Sequence, residues 1–431
     1  MKTRYTILFV LLGIFTGIAQ QSYVHQIIFL NEGWYDFFNN TLVVPPSVGS
    51  YDPVSRTYQV FDEISEAEFA SDVIIDEVIY VAADQFLITY DKTTLERLDR
   101  IIVPGIRKLA IWEDQLLVSR GDYLTFFESY FQVYDKNSLE LLYELDTENG
   151  PAYSTEGIVV QNDSAYVAIN NGFVFGQEVG LIGIVDLKNR TYAGEIDLGP
   201  DGKNPDNIML SDNGKIYTLN NKDFSSSSIS SINADTRVVK TYDKIAANSG
   251  CGTSTYANEQ IYYMEYGVDK LARFDVKSAQ IVDTLAGTTA YYGLVDDKIN
   301  KQLVATWTDF FSTGIAHILD YEGNLIHVFE VGISPGSIAL DVRTTTSIED
   351  PAWPADAVRV FPVPAHDEVH IETDETLANV KLFGSLGNVL THQFLNARKH
   401  TIWQEDHPAG MYFIEIGLQQ GGKRTYRVVK R

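Results

Sequence analysis

The 431 residues contain one cysteine, Cys251, and only eight histidines, of which just His25, His317 and His327 precede residue 355. One cysteine excludes an intramolecular disulfide, so stability must come from apolar burial and strand pairing. Cys251 sits in a Gly-Cys-Gly turn with no histidine near it in sequence, which suits a small packed residue better than a nucleophile. The three early histidines fall in strand-like segments, and no HExxH, GxSxG or Cys/His metal spacing occurs. Positive charge is scarce too: 33 Lys and Arg stand against 58 Asp and Glu, a net charge of −25. Residues 355–431 hold nine of each sign and residues 1–19 hold two cations, which leaves about −27 on the stretch between. Such a surface argues against nucleic acid or an anionic membrane as partner. No apolar run approaches the roughly 20 residues needed to cross a bilayer.

What is present is strand chemistry. Hydrophobic residues make up 45% and aromatics 12% of the chain, led by 25 Tyr and 22 Phe, and flat rings cover pleated surfaces well. Residues 1–19 have the parts of a cleavable secretory signal: Lys2 and Arg4, an apolar stretch from Ile7 to Ile18, and small residues ending at Ala19.

One phrase recurs along the chain: a β-rich segment ends on an acid or amide, a polar turn follows, and a second strand begins. The closing residues are Asp52, Asp91, Asp135, Asp186, Asn233, Asp275 and Asp320, spaced by 39, 44, 51, 47, 42 and 45 residues. A period of roughly 40 to 50 with short strands predicts four-stranded propeller blades. The side chain closing each phrase is expected to accept hydrogen bonds from the turn's backbone amides, a structural role. The last repeat leaves one strand, about 336–342, and Tyr23–Leu30 precedes the first phrase without an inner partner. Closure of one blade by strands from both ends follows, because it removes free edges.

Residues 344–354 read as a polar linker. Beyond them, alternating segments at Val358–Phe361, Glu368–Ile371, Val380–Phe383, Tyr412–Ile416 and Arg424–Val429 predict a small Ig-like β-sandwich over 355–431. The chain is therefore expected to be all-β: a signal over 1–19, a seven-bladed β-propeller over 20–343, a linker, and a small β-sandwich.

The phrases resemble the YncE-type seven-bladed propellers, and Phe29-Leu-Asn-Glu-Gly33 with the aromatic loop after it resembles surface propellers of the Bacteroidetes, some of which bind corrinoids. The tail resembles the type A sorting domain of the type IX secretion system. Phe361-Pro-Val-Pro364 stands where that family has an apolar residue and Pro-Asn-Pro, with Val363 replacing the Asn. The turn at Leu382–Val389, the strand from Ala409 through Tyr412, and the basic segment Lys423–Arg431 follow in the family's order. These resemblances imply export, a secreted or outer-membrane surface location after signal cleavage, the secretion machinery as partner, and an outer-membrane transporter as a further one.

Loops joining second to third strands and fourth to next first strands share one face of a propeller, and aromatic and amide residues recur in them. Trp34, Tyr35, Phe37, Tyr123, Phe126, Phe127, Asn171, Phe173, Asn221, Tyr292, Trp307, Asp309 and Phe310 are the candidate ligand contacts on that face. Rings give contact area at low entropic cost, and polar neighbours fix orientation. The ligand class is a small molecule or glycan, a corrinoid included. No catalytic residue, metal or cofactor is expected; the Asp201–Asp206 loop is acidic but lacks EF-hand spacing. No Asp or Glu stands apart from turn roles. The alternatives are a glycan-cleaving lyase or hydrolase with paired carboxylates and a protein-binding adhesin.

Overall fold

The computed structural model describes residues 22–123, 125–224, 226–245, 252–265, 267–344, 358–384, 389–403, 407–419 and 423–431. The secretory signal, Cys251, the 345–354 part of the linker, and the turns at 385–388 and 420–422 lie outside the described residues. Contacts divide the chain into a body, Tyr23–Arg343, and a unit that begins at Thr344 and ends at Arg431.

Seven four-stranded antiparallel sheets make up the described body. Blade 2 is typical: Ala70–Ile75 innermost, then Val78–Ala83, Phe86–Asp91 and Arg97–Ile102 outermost. Blades 3 to 7 begin with Ile106–Trp112, Thr155–Gln161, Pro205–Leu210, Ser254–Ala257 and Gly293–Asp297. Blade 1 draws on both ends of the body. Its innermost strand is Pro335–Thr344, followed by Ser22–Asn31, Ser47–Asp52 and Thr57–Glu63. The closure expected from the unpaired terminal strands is the one observed.

Strand burial explains why these segments read as continuous apolar runs rather than alternating ones. A blade is covered on both faces, so both side-chain sets of a strand are buried. In Ser22–Asn31, Ile27 and Phe29 pack with Val304, Ile318 and Val331 of blade 7. Ile28 and Leu30, pointing the other way, pack with Ile79, Val81 and Ile88 of blade 2. The same division recurs in blade 2, where Tyr80 and Ala82 join Ile106 and Leu116 of blade 3. Seven separate apolar clusters result, one at each junction between neighbouring blades. The outermost strands are the most exposed, as in Arg97–Ile102, and add only an occasional residue such as Leu145, Ile196 or Val331 to a junction.

Polar contacts knit the inner ends of the same junctions. Thr306 Oγ1 donates to Pro335 O at 2.6 Å, joining blades 7 and 1, and Ser337 Oγ donates to Asp72 at 3.2 Å, joining blades 1 and 2. Lys108 Nζ reaches Ser71 O at 2.7 Å across the next junction, and Arg107 Nε meets Glu156 at 2.9 Å across the one after. Asn207 Nδ2 donates to Ser254 O at 2.9 Å between blades 5 and 6.

The phrase-ending residues close the third strand of every blade and accept turn amides. Asp52 Oδ1 accepts from Val54 N at 2.7 Å, Asp135 Oδ1 from Ser138 N at 2.8 Å, and Asn233 Oδ1 from Thr236 N at 2.8 Å. These bonds favour the ionised form and hold the carboxyls of Asp91, Asp135 and Asp275 below the usual range. Asp52→Ala removes two such bonds and a third from the Ser55 hydroxyl, and is expected to cost about 1 kcal/mol, read as a lower urea midpoint with an unchanged slope.

The C-terminal unit is one five-stranded sheet, in the order Val358–Phe361, Glu368–Phe383, Gly410–Leu418, Lys423–Lys430, with Val389–Trp403 also pairing with Glu368–Phe383. The two segments expected at 368–371 and 380–383 are halves of a single strand whose register shifts between Glu372 and Asn379. At that irregularity the sheet folds over, so Val369 and Ile371 meet Leu382, Ile414 and Ile416 in one core. The small β-domain expected here is thus one continuously bonded sheet that curves into a half-barrel. Val389–Trp403 escaped the alternation pattern because most of its described side chains are exposed or half-buried.

Candidate functional site

The inner strands of a propeller converge on its axis, and in blades 3, 4 and 5 the second residue of that strand is charged. Arg107 and Lys108 follow Ile106 in blade 3, Glu156 follows Thr155 in blade 4 and Asp206 follows Pro205 in blade 5. Together with the loops above them they line a cavity of about 700 Å³. That volume lies within the range of small-molecule sites. The loops that reach it join second to third strands or fourth to next first strands, so the cavity opens on the face expected to bind ligand.

The floor carries charge and the rim carries rings. Arg107 meets Glu156 through Nε and Nη2, both at 2.9 Å, and lies 5.1 Å from the ring centroid of Phe173. Lys108 pairs with Asp72 at 3.6 Å. Tyr292 donates its hydroxyl to both oxygens of Glu32, at 2.8 and 3.0 Å. Asn221 Nδ2 donates to Asp206. Asn204, fully buried, lines the cavity, and neither atom of its amide has a hydrogen-bond partner. The rim holds Tyr35, Phe37, Phe69, Phe173, Phe224 and Tyr292.

Burial pushes Glu32 up to about 7, against the opposing pull of the Tyr292 hydroxyl and of Lys108 and Arg107. Burial, reinforced by the nearby Glu156 charge, pushes Asp206 up to about 7 as well, with Asn221 and Arg107 acting the other way. Gly336 makes room for Glu32: a Cβ there would stand 2.1 Å from Glu32 Oε1.

Of the thirteen residues expected on the binding face, four line the cavity: Tyr35, Phe37, Phe173 and Tyr292. Phe310 packs edge-on against Tyr292 at 5.0 Å, one layer behind. Trp34 makes a similar contact with Phe311 at 5.6 Å, and Trp34–Asp36 pairs with Thr41–Val44 in a hairpin inserted into blade 1. Tyr123 and Phe126 are exposed on the blade 3 loop and do not reach the cavity.

The remaining five have structural work instead. Phe127 covers Gly105 and lies 4.3 Å from the Arg120 guanidinium. Asn171 is buried and ties its own loop through Gln177 O at 2.9 Å. Asn221 is buried and holds Asp206 from behind the cavity lining. Trp307 packs against the blade 6–7 core. Asp309 caps its own turn through Phe311 N and Ser312 N.

The floor itself was missed. Glu32, Arg107, Glu156, Asn204 and Asp206 were not among the candidates, and the expectation that no acid stands apart from turns is corrected by Glu32, Glu156 and Asp206. Burial inside the ring, rather than any motif, sets these acids apart. A readable signal did exist: charged residues at the second or third position of inner strands, where the apolar pattern predicts Val or Ile.

Comparison with known proteins bears on the two units differently. Residues 359–431 match the secretion system C-terminal sorting domain. The chain therefore carries the tail of a type IX export substrate, secreted or held at the cell surface. No curated protein matches the chain. Among solved structures, a hypothetical selenium-binding protein from Sulfolobus tokodaii is similar over 75% of this chain and 94% of its own, with a TM-score of 0.55 and 12% identity. At that identity the likeness is one of fold alone. The extracellular domain of a protein described as a one-component system from B. thetaiotaomicron matches over 94% of this chain with a TM-score of 0.48 and 12% identity. The chain spans 57% of that structure's length.

Proposed function

We propose that this chain is an exported, non-catalytic receptor that takes a short glycan into the axial cavity. The observation that carries the reading is the pairing of an aromatic rim with a buried, hydrogen-bonding floor in one concave site of about 700 Å³. Rings stack on the apolar faces of sugars, and carboxyl, amide and guanidinium groups bond their hydroxyls. A corrinoid, the other ligand the YncE-like resemblance brings in, presents a broad flat ring, and the charged floor of Glu32, Arg107, Glu156 and Asp206 matches hydroxyls better. The sorting tail supports delivery to the outside of the cell, where such a receptor would work beside an outer-membrane transporter.

The test is a thermal-shift and calorimetric panel of the full chain against oligosaccharides, corrinoids and haem. A glycan should raise the melting temperature, and Phe37→Ala should weaken its binding at least tenfold while leaving the apo melting temperature unchanged, because Phe37 is 84% exposed. A corrinoid-only response would reassign the ligand, and a response insensitive to Phe37→Ala would move the site elsewhere. Cleavage of the glycan is the second reading, and the two carboxyls near 7 favour it. Product appearing in the panel, and lost in Asp206→Asn, would replace the receptor with an enzyme.

A further inference from the structure

The cations on the cavity floor are already engaged. Arg107 is bound to Glu156, and Lys108 to Asp72 and to Ser71 O. Glu32 and Asp206 are not so matched. Among the described residues neither forms an ion pair, and their hydrogen-bond partners are the neutral groups of Tyr292 and Asn221. Two enclosed carboxyls, one beside blade 1 and one on blade 5, thus line the cavity without an ion pair of their own.

A second, independent feature points into the same space. The Asn204 amide is fully buried, lines the cavity, and has both its donor and its acceptor unused. A buried amide left without partners costs about 1–3 kcal/mol, so such groups are ordinarily satisfied. A ligand that enters the cavity can satisfy it. The rings above, Phe37 and Phe173 among them, would face a cation as favourably as they face a sugar.

Resting on the glycan-receptor reading above, we infer that the ligand is an amino sugar oligomer whose protonated amines are received by Glu32 on one side of the cavity and Asp206 on the other. An ammonium at each carboxyl supplies the direct ion pair that the more distant Arg107 and Lys108 do not form, and Asn204 bonds an adjacent hydroxyl or ring oxygen. The net charge of −25 on the chain steers a cationic ligand toward the mouth.

The experiment titrates the full chain calorimetrically at pH 6.5 with three probes: the glucosamine tetramer, its N-acetylated form, and cellotetraose. The three share a backbone and differ at the amino position. Wild type should bind the glucosamine tetramer at least tenfold more tightly than either neutral one. In Glu32→Gln/Asp206→Asn the three should bind within twofold of one another. Equal binding of all three by the wild type would overturn the inference and leave the receptor reading standing. A preference for the amine that survives in the double variant would overturn the assignment to these two carboxyls. Binding of none would remove both the inference and the glycan-receptor reading. The wild-type comparison needs no variant, so a folding defect in the double substitution does not weaken it.

Discussion

A chain ending at Ser334 is expected not to fold cooperatively, whereas one ending at Thr344 is. The ten residues between them are the innermost strand of blade 1 and the only part of that blade from the far end of the body. Without them the Ser22–Asn31 strand loses its inner neighbour, and an edge is exposed along the channel. Two junctions fail together. Thr306 loses its bond to Pro335 O, and Asp72 and Val73 N lose Ser337. The buried amide of Gln26 loses Asp341. A propeller distributes its core over junctions that each depend on a neighbour on either side, so opening one removes the closure that holds the rest. Urea unfolding followed by circular dichroism should show a single steep transition for residues 20–344 and none for residues 20–334. A steep transition in both would mean that the ring does not depend on its last strand.

The second large effect concerns pH. Glu32 and Asp206 titrate near 7 in the folded chain and near 4 when it unfolds. Between those values the native state holds protons that the unfolded state has released, so stability falls as pH rises from about 4.5 to 7 and is flat above. Each group costs roughly 2–4 kcal/mol at pH 8 relative to the protonated form. Glu32→Gln/Asp206→Asn removes the titrating protons while keeping the shape. The variant should therefore exceed the wild type in urea midpoint at pH 8 and approach it at pH 5. The surrounding Glu68, Arg107, Lys108, Glu156 and Tyr292 are common to both proteins, as are the histidines. The turn aspartates act with the opposite sign. Their depressed carboxyls stabilise the fold above about pH 4 and withdraw that support as pH falls further. A double variant whose midpoint drops between pH 5 and 8 as much as the wild type's would show that these carboxyls are not held protonated.

The fold was legible because a propeller writes the same local grammar seven times. Asp135 and Asn233 mark equivalent turns, and each performs its turn locally, through bonds to amides two or three residues away. The terminal closure was legible as a matter of counting, since one strand was left over at each end. The cavity rim was partly legible: Tyr35, Phe37, Phe173 and Tyr292 sit in the loops that the repeat assigns to one face.

The floor was not legible by the same reasoning. Arg107 and Glu156 lie 49 residues apart and meet only because blades 3 and 4 adjoin at the axis. Nothing in either local segment announces the other. Aromatic loops misled in the other direction. Phe127 and Trp307 have the same local setting as Phe37, but Gly105 leaves a hollow that Phe127 fills, and the blade 6–7 core lies within reach of Trp307. Which ring covers a neighbour and which faces the cavity is decided by packing between blades.

The location of the site is tested most directly by hydrogen exchange on the full chain, with and without saturating oligosaccharide from the tetramer set. Ligand should slow exchange at residues 32–37, 68–71, 105–108, 170–173 and 204–206, and leave the turns after Asp52, Asp135 and Asp275 unchanged. Protection confined to those turns, on the opposite face of the blades, would contradict the account.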